Sequence, residues 1–234
     1  MKDLHLGRQR LGTISLLVLG VALLALATPA AHADAIYNFT VDGCSGKSCG
    51  SQTSFGTIDL HAINSDTVQI TVSLLHGNEF VTTGGHIGFA FTVQGGPVTL
   101  GILPTGWSNA GTNLSQSSFG TFTDGIDCTH GNSTGKKNCN GSDPWAGKLQ
   151  FDVSRLTGLK LSDFVANKDG IFFSADIMSG TTGQTGPIGA MGNVTSTPTP
   201  EPGTLISMGT GLLSVAFGLR KRLLQSLTNK SLSA

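Results

Sequence analysis

The middle of the chain alternates between apolar and polar positions. Val68, Ile70, Val72 and Leu74 are separated by Gln69, Thr71 and Ser73. A period of two puts the first set on one face of a β-strand and the second on the other. Ile58, Leu60 and Ala62 repeat the pattern, as do the segments Ile36 to Val41, Leu149 to Val153 and Ile171 to Ile177. Ile87, Phe89, Phe91 and Val93 alternate with the small residues Gly88, Ala90 and Thr92, which predicts a strand covered on both faces, central in its sheet. Gly84-Gly85 and Gly95-Gly96 mark turns between runs. The best helix candidate, Leu156 to Phe164, is short. Strands joined by turns, with no helices between them, predict antiparallel pairing. The expected fold is an all-β, antiparallel β-sandwich or jelly-roll-like domain.

One stretch, Gly106 to Asp143, has no apolar periodicity. Long structureless segments are uncommon inside domains. It is expected to be an ordered excursion pinned by Cys128 and Cys139, or a face used for contact.

Two uncharged apolar runs flank the domain. After Lys2, Arg8 and Arg10 comes Leu11 to Ala27, followed by Ala31-His32-Ala33. Basic, apolar and small-x-small segments in that order predict a secretory signal helix over residues 1–33. Signal peptidase would cut after Ala33, with Ala35 as second choice. At the other end, 192–202 is rich in Thr and Pro and predicts an extended linker. It closes on Pro200-Glu201-Pro202-Gly203. Leu205 to Leu219 follows without a charge, then Arg220-Lys221-Arg222. A basic cluster after an apolar segment stays cytoplasmic. This predicts a transmembrane helix and basic cluster over 203–222, a cytoplasmic tail over 223–234, and an exported domain over 34–191.

Pro200, Glu201, Pro202 and Gly203, the apolar segment, and Arg220 to Arg222 together resemble the PEP-CTERM sorting signal of exported proteins in Gram-negative bacteria. The resemblance implies that an exosortase, a membrane-embedded Cys-dependent transpeptidase-like enzyme, recognises the tail. It also implies a route from an inner-membrane intermediate to the cell surface or medium, and an association with exopolysaccharide and biofilm.

The formal net charge of the whole chain is zero, but residues 34–199 hold seven Lys and Arg against twelve Asp and Glu, a net charge of −5. An acidic domain does not favour nucleic acid or anionic lipid. Four cysteines, Cys44, Cys49, Cys128 and Cys139, all fall in this region. In an oxidising compartment an even count reads as disulfides. Of three possible connectivities the two local pairings are favoured, because each encloses a loop rich in Gly, Ser and Asn. Zinc is the rival reading, and His130 near Cys128 supports it.

The remaining chemistry is thin. Gly46-Lys47-Ser48 ends like a phosphate-binding loop, but the full motif is incomplete and no helix follows. His61, His76, His86 and His130 are not spaced as ligand pairs, and no G-x-S-x-G elbow is present. Glu79 is the one glutamate of the domain. Asp124, Asp127, Asn140 and Asp143 could offer oxygens to calcium. Trp107 and Trp145 could stack on sugars or partners, or cap the core. No catalytic residue, metal or cofactor is assigned. The reading is a non-catalytic surface or matrix protein, with a carbohydrate-binding module and a secreted hydrolase as alternatives.

Overall fold

The computed structural model of the protein describes residues 34–44, 48–129, 139–192 and Gly211. These residues form twelve strands: β1 (Asp34–Phe39), β2 (Val41–Asp42), β3 (Gly56–Ala62), β4 (Thr67–Leu74), β5 (Glu79–Phe80), β6 (Phe89–Phe91), β7 (Thr99–Leu100), β8 (Trp107–Gln116), β9 (Gly120–Cys128), β10 (Leu149–Ser154), β11 (Ile171–Met178) and β12 (Thr185–Met191). They build two antiparallel sheets. The first runs β1-β3-β4-β10-β7; the second runs β2-β12-β11-β6-β9-β8, with β5 also on β11.

The alternation seen in the sequence becomes register here. β3 and β4 pair from Gly56 opposite Leu74 to Ala62 opposite Val68. Asn64 turns the chain between them, its Oδ1 accepting the Asp66 N–H at 3.0 Å. β4 then pairs with β10 from Thr67 opposite Ser154 to Val72 opposite Leu149. Thr40 is the crossing point between sheets: it follows β1, precedes β2, and donates its N–H to Gly189 O of β12 at 3.0 Å.

The two sheets meet across one aromatic core. Phe151 of β10 lies 6.1 Å from Phe89 and 6.3 Å from Phe91 of β6, and Tyr37 of β1 meets Phe173 of β11 edge-on at 4.8 Å. Phe39, Phe80, Phe89, Phe91 and Phe173 are fully buried, and burying each contributes about 1.5–3 kcal/mol. All three β6 residues are buried and the strand lies between β11 and β9, as the small-residue alternation requires.

A smaller cluster of Ala90, Phe119, Phe122 and Ile171 packs separately from that core. Phe119 comes from the turn between β8 and β9. Its ring comes so close to Gly43 and Gly189 that a Cβ there would stand 2.7 and 3.2 Å from it. Gln116, 1 % exposed, ties the same turn down: its Oε1 accepts the Ile87 N–H at 2.7 Å, and its Nε2 donates to Ile87 O at 3.2 Å.

Two expectations are corrected. Most of the stretch Gly106 to Asp143, expected as an ordered excursion pinned by Cys128 and Cys139, is a long hairpin of the second sheet, β8 with β9. β8 is bulged between Asn109 and Gly111, and Gly111 and Asn113 have φ of 97° and 55°. The helix candidate is one 3-10 turn, Leu161–Asp163. Gly158, at φ 95°, turns the chain away from helical geometry just before it.

Candidate functional site

The flanking segments carry the strongest sequence signals, and they lie outside the described residues. Ala31 and Ala33, Pro200, Glu201, Pro202 and Gly203, and Arg220, Lys221 and Arg222 are all in this group. Among the described residues, no helix is long and apolar enough to cross a membrane.

Within the domain the cysteines pair locally, Cys44 with Cys49 and Cys128 with Cys139, at Cα separations of 5.7 and 5.6 Å. Asp42 organises the first loop. Its carboxylate accepts the N–H groups of Cys44 and Cys49, each at 2.9 Å, and the hydroxyl of Ser48 at 2.5 Å. Asp42, Cys44 and Cys49 are the one trio of potential ligand residues found close together among the described residues. Its two sulfurs are bonded to each other and its carboxylate is taken by the turn, so the trio reads as a loop clasp. Gly46 and Lys47 of the phosphate-loop fragment lie outside the described residues, and Ser48 belongs to this clasp.

A second carboxylate anchors the loop between β5 and β6. Asp176 of β11 is fully buried. It accepts the Thr83 N–H at 2.6 Å and the Thr83 hydroxyl at 2.9 Å, and its other oxygen meets His86 Nδ1 at 3.3 Å. The hydrogen bond from Asp176 holds the His86 imidazole above its ordinary pKa; burial works against it, and the carboxylate charge adds to it. Nearby, Gly88 N–H reaches Asp127 Oδ1 at 3.3 Å, and Asp176 N–H reaches Gly88 O at 3.2 Å. Two aspartates therefore flank Gly88. Sequence alone gave no sign of this, because the donors sit about ninety residues from Asp176.

The other histidines are scattered. His61 pairs with Asp34 across β1 and β3. His76 occupies a left-handed turn at φ 58°, and His130 lies outside the described residues. Asp59, near Asp34, is pushed above the usual carboxylate range by burial and by the Asp34 charge, with His61 and Lys148 opposing.

The proposed calcium oxygens do not gather. Asn140 Oδ1 accepts the Ser142 N–H and hydroxyl at 2.9 and 2.6 Å, closing its own turn. Asp127 faces Gly88, and Asp124 lines a separate groove beside Thr112, Asn113 and Pro97. Burial raises the Asp124 carboxyl; a hydrogen bond with Thr123 opposes this. Trp107 and Trp145 do come together, 5.5 Å apart and edge to face, with Phe80 against both. Trp107 is only 7 % exposed. The pair closes one end of the core and does not present a flat aromatic platform.

The sequence signal for export lies in the tripartite tail that follows the all-β domain. Residues 198–222 match the family model of the PEP-CTERM protein-sorting motif, and the chain carries that motif. The motif marks the protein as exosortase-targeted and destined, through the membrane, for the cell surface. No curated protein and no solved structure matches the chain.

Proposed function

We propose that the protein is a non-catalytic surface or extracellular-matrix component. Signal peptidase removes residues 1–33, and an exosortase processes the tail near Pro200-Glu201-Pro202. The observation that carries this reading is the sorting motif itself: residues 198–222 match it, and they follow β12, the last strand of the domain, which ends at Met191. On this reading the Thr- and Pro-rich 192–202 is the linker that carries the motif. Residues 203–222 hold it at the membrane boundary, and 223–234 stay on the cytoplasmic side.

The start of the domain supports the preferred signal cut. β1 begins at Asp34. A cut after Ala33 leaves every described residue of β1 in place. A cut after Ala35 would remove a residue that is 5 % exposed and pairs with Leu60. The two disulfides fit an oxidising destination. The association with exopolysaccharide rests on the family resemblance.

The test is the intact mass of protein recovered from the native cell surface and medium. A product running from Asp34 to the neighbourhood of Pro200 is expected. A product starting at Asp34 and running to Ala234 would mean a permanent anchor and would end the sorting proposal.

A further inference from the structure

We infer that the inner face of β8 and β9 forms a binding groove for a neutral saccharide chain, with Asp124 accepting hydrogen bonds from its hydroxyl groups. The inference concerns the domain alone and goes beyond the sorting reading.

The groove follows from unequal sheets. The first sheet stops at β7, which has two residues. The second continues past β6 through β9 and β8, with nine and ten. Phe151 of β10 covers β6 through Phe89 and Phe91. Beyond β10 the first sheet offers only the short β7; Trp107 of β8 and Ile126 and Cys128 of β9 still belong to the main core, and the groove lies farther along the hairpin, at Thr112 and Asp124.

The residues change where the cover ends. Phe89 stands opposite Ile126, and both are in the core. Two positions along, Phe91 stands opposite Asp124, which stands opposite Thr112 on β8. Register partners share a face, so an aspartate and a threonine occupy the face that is phenylalanine and isoleucine under cover. The space they border is about 450 Å³, within the usual range for small-ligand sites of about 300–1,000 Å³. Val93, Pro97 and Phe122 are its apolar walls, and Gly96, Asn113, Thr121 and Thr123 complete the lining.

That lining selects a chemistry. The hydroxyls of Thr112 and Thr121, the Asn113 amide and one carboxylate offer acceptors to a ligand rich in O–H donors, while the Thr123 hydroxyl is already taken by the Val93 N–H at 2.9 Å. Val93 and Pro97 give an apolar flank suited to the C–H face of a sugar ring. A single carboxylate with no basic residue in the lining rejects anions such as phosphate or uronate. A small cation would call for more oxygen ligands than one carboxylate supplies. Asp124 is also only 6 % exposed, and burial disfavours its charged form.

Residues 34–198 contain both sheets, both disulfides and the whole core, and fall within one compact unit. This isotope-labelled piece is titrated by NMR with cellohexaose, mannohexaose and xylohexaose, and with spermidine and a hexauronate as controls. At least one neutral hexasaccharide is expected to shift the amides of Thr112, Asn113 and Thr121 to Asp124 saturably, at concentrations up to about 10 mM. Asp124→Asn should weaken that binding about tenfold or more while leaving the melting temperature equal or higher. Four outcomes would overturn the inference: no saturable shift with any neutral sugar, shifts confined to another surface, undiminished binding by Asp124→Asn, or groove binding by spermidine alone. None of them bears on the processing of the tail, which the mass measurement reads separately.

Discussion

Asp176 holds Thr83 by two bonds from one oxygen, taking both the backbone N–H and the side-chain hydroxyl. The loop carrying Thr83 makes its turn with Gly84 and Gly85, both left-handed at φ 57° and 81°, and His86 closes back onto the same carboxylate. One strand residue thereby fixes the Thr83–His86 turn within the connection between β5 and β6.

Asp176→Ala removes a buried acceptor from three donors. A loss of about 3 kcal/mol or more is expected, read as a lower denaturant midpoint. The His86 contribution has its own pH signature. Its folded pKa is raised above the unfolded value, so its stabilisation is complete below about pH 6.5 and disappears as pH rises through the folded value. Stability curves of the protein and of His86→Gln should therefore converge on the alkaline side. Parallel curves from acid to alkaline pH would contradict the pairing.

The Phe119 turn depends on missing side chains. Gly43→Ala puts a methyl group 2.7 Å from the ring and 2.9 Å from Pro187 O, and a destabilisation of about 1–3 kcal/mol is expected. Phe119→Ala should cost about 3 kcal/mol or more. Because both changes act on one contact, the double variant should lose less than the sum. Thermal unfolding of the four proteins measures the coupling directly.

The disulfides close loops of different length, with sequence separations of 5 and 11. On the chain-entropy account, replacing Cys44 and Cys49 by Ala costs roughly 2 kcal/mol and replacing Cys128 and Cys139 roughly 3. The ranking is checked by melting each variant beside the parent, then repeating in reductant, where the three curves should coincide.

For the tail, Glu201→Ala and a deletion of Arg220 to Arg222 should each leave unprocessed protein in the inner membrane. Fractionation and intact mass read the result. Normal maturation of both variants would count against recognition of the tripartite signal.

The strands that sequence revealed have at least one face in the core: β3 and β4 show it as apolar–polar alternation, and β6 as small residues between phenylalanines. The hairpin β8–β9 stayed hidden for a physical reason. Most of β8 is exposed on both faces, so nothing imposes an apolar alternation on it. The same cause hid the groove: Asp124 looked like a loop ligand for calcium until its register partners placed it opposite Phe91. The local disulfide pairs were legible because spacing and loop composition are local properties. The Asp176 anchor was not, since its partners come from Thr83 and His86. The two tryptophans were legible as a pair of choices, and packing against Phe80 decided for the core.

The outermost strand of the second sheet also bears on solubility. Over ten residues β8 has no charge and no proline, two of the usual means by which a border strand discourages another chain from pairing with it. The left-handed residues Gly111 and Asn113 do that work through shape. With the bulge between Asn109 and Gly111 they interrupt and twist the strand, which discourages pairing along its edge. A crowded population of such domains can then remain individually folded without being stitched into ribbons.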